Sequence, residues 1–399
     1  MSVTYPKGFQ ASGVTAGCKP SGLPDLGLLV GEPGTMVAGL FTTNRVEAAP
    51  VTIGRARLRA GGSPRAVVVN SGQANAATGA RGVADALAIT ARTGALLGLE
   101  DDTVLPSSTG VIGEPLHMER LLPALPTVVE ALSKEGGAEF ARAIMTTDTV
   151  DKQATAEAAG VRVGGCAKGV GMIAPDLATM LAFITTDAAI AQDDLHRLAD
   201  EVLKPRFNAF TVDGSTSTND TVLLFASGAA GHDRVGPGSG AWTAISGALA
   251  GLADDLVRQL IGDGEGVGHV VVVDVEGAHT EADARIVARA VADSPLVKTA
   301  AFGGDPNPGR ILQAVGASGV GFEPTSLSVR IGDAVVAEAG VIPAAYFAPA
   351  SELAERARRQ MKDAEIPVAV SIGDGPGRAR VFGCDLSYEY VRINGEYTT

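Results

Sequence analysis

Thr179 is the residue of this chain whose type and position are best suited to covalent chemistry. It follows Ala178 at the end of a turn-rich stretch, KGVGMIAP (168–175), and precedes an apolar run, MLAFIT (180–185). If the bond before it were cut, Thr179 would carry a free α-amine beside its own hydroxyl. Such an amine has a pKa of about 7.7–8.0 and can take the hydroxyl proton near neutral pH. The pattern therefore predicts a self-activating nucleophile, although a β-branched residue at the start of a strand also has a purely structural explanation.

A second stretch has the residue types that stabilise an oxyanion. In VLPSSTGVIG (104–113), Thr109 offers a hydroxyl and Gly110 an unobstructed backbone N–H side by side. A tetrahedral acyl intermediate needs two such donors. The same four letters, SSTG, also make an ordinary turn, so the residue types alone leave both interpretations open.

The elements around these residues are predicted from apolar runs and chain breakers. A strand over 66–70 leads into SGQANAATG, which either lines a site or caps, through Ser71 or Asn75, a helix that runs to about Leu99. Prolines within 118–134 predict a broken helix or two short helices.

Later in the chain, residues 193–204 predict an amphipathic helix that Pro205 ends, and residues 242–261 predict a long helix. Glu265 follows in a glycine-rich turn, where an acid is most often simply solvated. The C-terminal tail holds Tyr388, Tyr390 and Tyr397, although the whole chain has only five tyrosines. Since termini are generally polar and frayed, this pattern predicts that the tail docks.

Composition excludes several function classes. A net charge of −13 argues against nucleic-acid binding. The longest apolar runs are too short to span a membrane, and the first residues lack a signal-peptide core, so we expect a cytoplasmic protein. Three dispersed cysteines and five scattered histidines predict reduced thiols and no metal site. We also find no phosphate-binding loop, and therefore expect no nucleotide cofactor.

The length of 399 residues predicts more than one lobe. The alternation of strands and helices indicates an α/β (α+β) protein. We expect a catalytic core over residues 1–275 and a smaller α+β lobe over residues 276–399, whose tail returns to the active site.

Several motifs together resemble the ornithine acetyltransferase (glutamate N-acetyltransferase) family. KGVGMIAPDLATML (168–181) is similar to the cleavage-site motif of that family, with Leu177 where Met is more usual. SPLVKTA (294–300) and DPNPGR (305–310) resemble a second motif, in which Pro308 replaces a Trp. The ending NGEYTT (394–399) resembles a third. The matches extend over nearly the whole chain.

This resemblance implies a fold and a set of site residues. The fold would be an αββα sandwich of the N-terminal-nucleophile type, with a second, smaller C-terminal lobe. The chain would cut itself between Ala178 and Thr179, giving an α chain (1–178) and a β chain from 179. Thr109 and Gly110 would form the oxyanion hole. The residues implied to contact substrate are Thr146, Lys168, Thr179, Glu265, Asn394 and Thr399.

The resemblance also implies a reaction. Thr179 would carry the acetyl group from N2-acetylornithine to glutamate without a cofactor, and the cleaved chains would assemble as a heterotetramer of two α and two β chains. The use of acetyl-CoA as a second acetyl donor is left open, and Pro308 places local packing and substrate fit in question. Two alternatives stand beside this prediction. One is an N-terminal-nucleophile aminopeptidase or amidohydrolase, which would pass the acyl group to water, and the other is a non-catalytic relative that binds small molecules.

Overall fold

Within residues 2–174 and 180–396, which the computed structural model describes, the chain forms three β-sheets in two units. The described part of the first unit comprises residues 2–174, 180–208 and 215–260. The second comprises 209–214 and 261–396. The second unit thus begins before the expected boundary at residue 275, because the strand Val270–Gly277 pairs with strands that follow it in the chain.

The described strands of the first unit belong to two sheets. The first sheet has the order β1-β2-β4-β5, and the second has the order β3-β9-β8-β7-β6. In chain order they are β1 (Phe9–Val14), β2 (Leu26–Gly31), β3 (Met36–Phe41), β4 (Ala66–Gln73), β5 (Val104–Val111), β6 (Lys152–Ala158), β7 (Val161–Lys168), β8 (Leu181–Thr186) and β9 (Thr221–Ala226).

The described helices of the first unit lie between and after these strands. They are α1 (Ala49–Arg59), α2 (Gly79–Leu97), α3 (Met118–Glu130), α4 (Gly137–Ala143), α5 (Gln192–Leu198), α6 (Lys204–Phe207) and α7 (Gly240–Gly262).

The two sheets of the first unit pack face to face. Their inner faces share one apolar core, in which Val67 and Val69 of β4 meet Phe183 of β8 and Phe225 of β9. The outer face of the first sheet is covered by apolar residues of α2 and α3. On the second sheet, Gly165 of β7 leaves room for the leucines of α7. Helices outside and sheets inside give the αββα layering that was predicted.

Two proline predictions were wrong. Helix α3 runs unbroken through Pro123 and Pro126, because its buried leucines and valine are held against the first sheet. Pro205 does not end the helix that starts at Gln192. A π-helical turn, Ala199–Leu203, precedes it and the helix continues as α6. Proline has no N–H to donate to the carbonyl four residues earlier. The π-helical turn changes which backbone groups pair just before Pro205, so the helix can continue through it.

The second unit is built on one mixed sheet with the order β12-β11-β13-β10-β14 among its described residues. Parallel pairing of β10 with β13 and antiparallel pairing with β14 make it mixed. This matches the predicted smaller α+β lobe. The strands are β10 (Val270–Gly277), β11 (Ser328–Ile331), β12 (Ala334–Ala337), β13 (Glu365–Ser371) and β14 (Gly375–Cys384). The helices are α8 (Glu281–Ala292), α9 (Pro295–Phe302), α10 (Pro308–Gly316), α11 (Glu352–Gln360) and α12 (Tyr388–Glu396).

Pro308, the residue that departs from the family pattern, starts α10. It occupies the first helical position, directly after Asn307, whose side chain accepts a hydrogen bond from the Arg310 N–H. Proline is well suited to this position, since its N–H would be unpaired there and its φ is already helical. The backbone of this motif therefore accommodates proline in place of the large ring.

Among the described residues, no helix is both long enough and apolar enough to cross a bilayer.

Candidate active site

Lys168 is the centre of a polar cluster at one end of the second sheet. It is the last residue of β7 and pairs with Leu181, the first residue of β8. Its Nζ donates to Oγ1 of Thr146 at 2.7 Å and to Oγ1 of Thr109 at 3.2 Å. The side chain is only 3% exposed. The structure thus brings together Thr109, Thr146 and Lys168, three residues that the sequence had suggested separately.

The buried carboxylate of Asp148 holds this cluster in place. Its Oδ1 accepts from Nζ of Lys152 at 2.8 Å and from the N–H of Gly169 at 2.8 Å, and its Oδ2 accepts from the N–H of Thr146 at 3.0 Å. Nζ of Lys168 lies 3.9 Å from the same carboxylate. Burial raises the pKa of Asp148. The opposing effects of Lys168, Lys152 and the hydrogen bonds are larger together, so the pKa lies below its usual value. Asp148 therefore stays ionised.

The contact from Lys168 orients the hydroxyl of Thr109. An ammonium group only donates hydrogen bonds, so Oγ1 of Thr109 must act as the acceptor. Its own proton is then available to another acceptor, and the cation that polarises the oxygen strengthens that donor. A hydroxyl prepared in this way can stabilise a developing oxyanion.

Gly110 follows Thr109 at a position that only glycine fits. Its φ is +133°, and it pairs with Gly72 of the neighbouring strand β4. A Cβ at this position would lie 2.2 Å from the carbonyl carbon of Gly72. Thr109 and Gly110 therefore lie within β5 and do not form a turn, and the close approach of two backbones explains why Gly stands next to the candidate oxyanion donor.

Gly110→Ala is expected to destabilise the protein by about 2–3 kcal/mol or more, because it combines a positive φ with a backbone clash between β5 and β4. Denaturant unfolding measures the loss. Gly113→Ala is the matched control, since Gly113 also has a positive φ of 85° but no neighbouring atom within 4 Å of a Cβ. Equal losses for the two variants would contradict the role of the clash.

The segment Asn219–Asp220 contacts both the beginning of β8 and strand β5. Nδ2 of Asn219 donates to the carbonyl oxygens of Ala74, at 2.6 Å, and Ser108, at 2.9 Å. Oδ1 of Asp220 accepts from the N–H of Met180 at 2.8 Å. Two adjacent residues of one loop therefore hold β5 at Ser108, directly before Thr109, and hold Met180, which lies directly before β8 and directly after Thr179.

Lys19 places a further cation beside the cluster. Its Nζ donates to the carbonyl oxygen of Met145 at 2.8 Å, directly before Thr146. Burial is the main cause that lowers the pKa of Lys19 to about 8; Asp25 opposes this effect and Lys168 adds to it. The cluster thus combines several ammonium groups with the ionised Asp148, which favours an anionic ligand.

In the second unit, the C-terminal helix α12 docks as predicted for the tail. Nδ2 of Asn394 donates to Oε2 of Glu265 at 2.7 Å. Beside this pair, the hydroxyl of Tyr390 donates to Oδ2 of Asp213 at 3.1 Å, and Oγ of Ser387 donates to the carbonyl oxygen of Gly266. Glu265 and Asn394, both expected to contact substrate, therefore contact each other.

The loop after β4 was expected either to cap α2 or to line a site. Neither Ser71 nor Asn75 is the N-cap of α2, which is Thr78. Ser71 lies inside β4, and its Oγ donates to the carbonyl oxygen of Ala143, so it does not cap α2. Asn75 supports the beginning of α2 instead, since its Nδ2 donates to the carbonyl oxygen of Gly82. The loop also contributes the Ala74 carbonyl that Asn219 binds.

Ala178, Thr179 and Thr399 lie outside the described residues. Their predicted roles as cleavage site, nucleophile and substrate contact stay predictions.

Sequence reasoning missed several groups of this site: Lys19, Asp148, Lys152 and the specific tasks of Asn219 and Asp220. Asp148 lies within the hydroxyl-rich stretch TTDT (146–149), whose residue types are typical of turns. The string VDGSTSTND (212–220) is densely polar, but its residue types alone indicate no particular chemical role. An unusually polar stretch directly before a buried strand was the signal that could have identified Asp220.

Comparisons with known proteins identify the family of this chain. The family model described as "ArgJ family" matches residues 10–399. The arginine biosynthesis bifunctional protein ArgJ of Thermosynechococcus vestitus is 44% identical over 409 residues, covering 100% of this chain and 98% of the relative. The protein of the same name from Parasynechococcus marenigrum is 45% identical over 402 residues, covering 100% and 95%.

A solved structure is also similar. The arginine biosynthesis bifunctional protein ArgJ of Bacillus halodurans is 36% identical, with a TM-score of 0.50, over 53% of this chain and 97% of that chain. The family model and the curated relatives extend over nearly the full length, and so the chain belongs to the ArgJ family of arginine-biosynthesis acyltransferases.

Proposed function

We propose that the chain cuts itself between Ala178 and Thr179 and then transfers the acetyl group of N2-acetylornithine to glutamate through an acetyl ester on Thr179. The observation that carries this proposal is the Lys168 cluster. It prepares the hydroxyl of Thr109 at the end of the sheet where β8 begins, directly after the proposed nucleophile.

In the self-cleavage, Oγ of Thr179 attacks the carbonyl carbon of Ala178, and the peptide C–N bond breaks as the C–O bond forms. The hydroxyl proton passes to the departing nitrogen, which becomes the α-amine. Water then hydrolyses the ester and restores the hydroxyl. The new α-amine is the general base that the nucleophile lacks in the uncut chain.

In turnover, Oγ of Thr179 attacks the acetyl carbonyl and its proton passes through the α-amine to the departing α-nitrogen of ornithine. Thr109 and Gly110 stabilise the oxyanion. The amino group of glutamate then attacks the acetyl ester, the C–O bond breaks, and the proton returns to Oγ. One acetyl group moves in each half, so the kinetics are ping-pong.

Charge in both units supports amino-acid substrates. The ammonium groups of Lys19 and Lys168 favour a carboxylate, which both proposed substrates carry. In the second unit, the carboxylate of Glu265, held by Asn394, suits an ammonium group such as that of the ornithine side chain.

The coverage of the Bacillus halodurans structure supports the division of the chain. Nearly all of that solved chain, 97%, corresponds to only 53% of this one. Such coverage is what a relative divided into two polypeptides near position 179 would give.

The test is incubation of the protein with N2-acetylornithine, with and without glutamate. We expect ornithine and N-acetylglutamate in equal amounts with glutamate, and no sustained release of acetate without it. An amidohydrolase would release acetate at the same rate in both reactions. A binding protein would give no product, and either outcome would reject the proposal. A third reaction, with acetyl-CoA and glutamate, decides whether acetyl-CoA is also a donor.

Thr109→Ala is expected to lower kcat by about 10²–10³-fold with little change in KM, because an oxyanion donor acts mainly in the transition state. Ser107→Ala is the matched control. Ser107 belongs to the same strand, is equally buried, and its Oγ has no hydrogen-bond partner among the described residues. An unchanged kcat in Thr109→Ala would remove Thr109 from the oxyanion hole.

A further inference from the structure

Asp220 is a buried carboxyl group that the proposed reaction does not yet use. It lies directly before β9, is 0% exposed, and accepts the N–H of Met180 through Oδ1 at 2.8 Å. The next residue, Thr221, donates its N–H to the carbonyl oxygen of Met180 at 3.1 Å. Both backbone polar groups of the first residue after Thr179 are therefore fixed by one loop.

The second oxygen of this carboxyl group, Oδ2, is buried and has no hydrogen-bond partner among the described residues. An ionised carboxylate with an unpartnered buried oxygen is strongly unfavourable. Burial raises the pKa of Asp220 well above its usual value, against the opposing effects of the Met180 N–H and Lys168. The proton of the neutral form would reside on Oδ2.

The contrast with Asp148 shows that these two buried acids have different states. Asp148 is surrounded by the ammonium groups of Lys152 and Lys168 and by the N–H groups of Thr146 and Gly169, which favour its charge. Asp220 is also buried, and among the described residues it accepts one hydrogen bond, from the N–H of Met180. Environment therefore divides the pair into a charged acid and a neutral acid.

We infer that Asp220, as a neutral acid, is a positioning residue for the nucleophile: it anchors the peptide group of Met180 and through it fixes Thr179 for cleavage and acetyl transfer. This inference rests on the proposed function. Neutrality has a chemical purpose. A carboxylate bound to the residue that follows the new α-amine in the chain would favour the ammonium form of that amine and weaken it as a base, whereas a neutral acid holds the strand without this effect.

The test compares Asp220→Asn with Asp220→Ala. Asparagine has the shape of the neutral acid, keeps an oxygen for the Met180 N–H, and has an N–H donor in the place of the O–H. We expect Asp220→Asn to keep cleavage and kcat within about fivefold of the wild type, with the same pH profile, because no hydrogen bond of the anchor is lost. We expect Asp220→Ala to lower both by about 100-fold, as small displacements of a nucleophile do.

Asp187→Ala is the matched control for loss of a buried acid. Asp187 is 1% exposed, follows the other end of β8, and accepts the N–H of Arg162 at 2.8 Å. It should lower the thermal unfolding temperature without changing cleavage. Cleavage is followed as the cut fraction over time after cell-free synthesis, and kcat is measured on the cut protein.

Two results would overturn the inference. If Asp220→Asn loses as much activity as Asp220→Ala, Asp220 acts through its charge or its proton and is not a neutral anchor. If Asp220→Ala folds and cleaves like the wild type, it does not position the nucleophile. Both results require a wild type that cuts itself, and an uncut wild type would reject the proposed function instead.

Discussion

Thr179→Ala is expected to leave one uncut chain of 40.3 kDa and to lower acetyl transfer by at least about 10⁴-fold. Alanine has no oxygen with which to attack the carbonyl of Ala178, so the chain cannot divide. For the same reason it cannot carry an acetyl ester. Because the α-amine is released only by cleavage, the variant loses the nucleophile and its base together.

Thr179→Ser is the control for this variant. Serine keeps the hydroxyl and, after cleavage, the α-amine, so it should cut and transfer, at a lower rate than threonine. Gel electrophoresis measures the cut, and release of ornithine measures the transfer. A Thr179→Ala protein that is cut and active would contradict the mechanism.

Asp148→Asn is expected to destabilise the first unit by about 3–5 kcal/mol, the usual effect of removing one partner of a buried ion pair. The side chains of Asp148 and Lys152 are both 0% exposed, and Lys168 is nearby. Without the carboxylate these ammonium groups lose their counter-charge. In the wild type, the N–H groups of Thr146 and Gly169 each donate to one oxygen of Asp148. Asparagine has only one oxygen, so one of these donors would face an NH₂ group and lose its acceptor. Denaturant unfolding at pH 7 measures the change.

The pH dependence gives an independent check on Asp148. Its folded-state pKa is lowered, so its contribution to stability is fully present above the unfolded-state pKa of about 3.9 and is lost as the pH falls below that value. Asp148→Asn should lack this part of the acid destabilisation.

Lys152→Met in the Asp148→Asn background should recover part of the loss, because it removes one uncompensated charge. Asp151→Asn, at a partly exposed position, should have a small effect by comparison. If Asp148→Asn is as stable as the wild type at pH 7, the buried ion cluster does not support this site.

The sequence was informative where local rules decide the structure. The apolar run from Ala66 to Val69 predicts a buried strand over 66–70, and the structure has β4 there, extended to Gln73. The long helix α7 is predicted for a similar reason. The turn expected at Thr109-Gly110 was wrong, because both residues lie within strand β5 and Thr109 is buried.

Long-range burial could not be predicted in this way. Lys152 and Asp148 are residue types that are usually exposed, and nothing in TTDTVDK indicates that both are enclosed. Lys168 and Thr109 are 59 residues apart and meet only because both sheets end at this place. Pro123 and Pro126 lie within a helix because packing of α3 against the first sheet overrides the local rule. Pro205 lies within a helix because a π-helical turn precedes it.

The mass of the purified wild-type protein tests the central claim most directly. If the chain cuts itself as proposed, a preparation that transfers acetyl groups contains two polypeptides, 1–178 and 179–399. Thr179 is then the first residue of the second polypeptide. A single intact chain of 40.3 kDa that still transfers acetyl groups at full rate would contradict it.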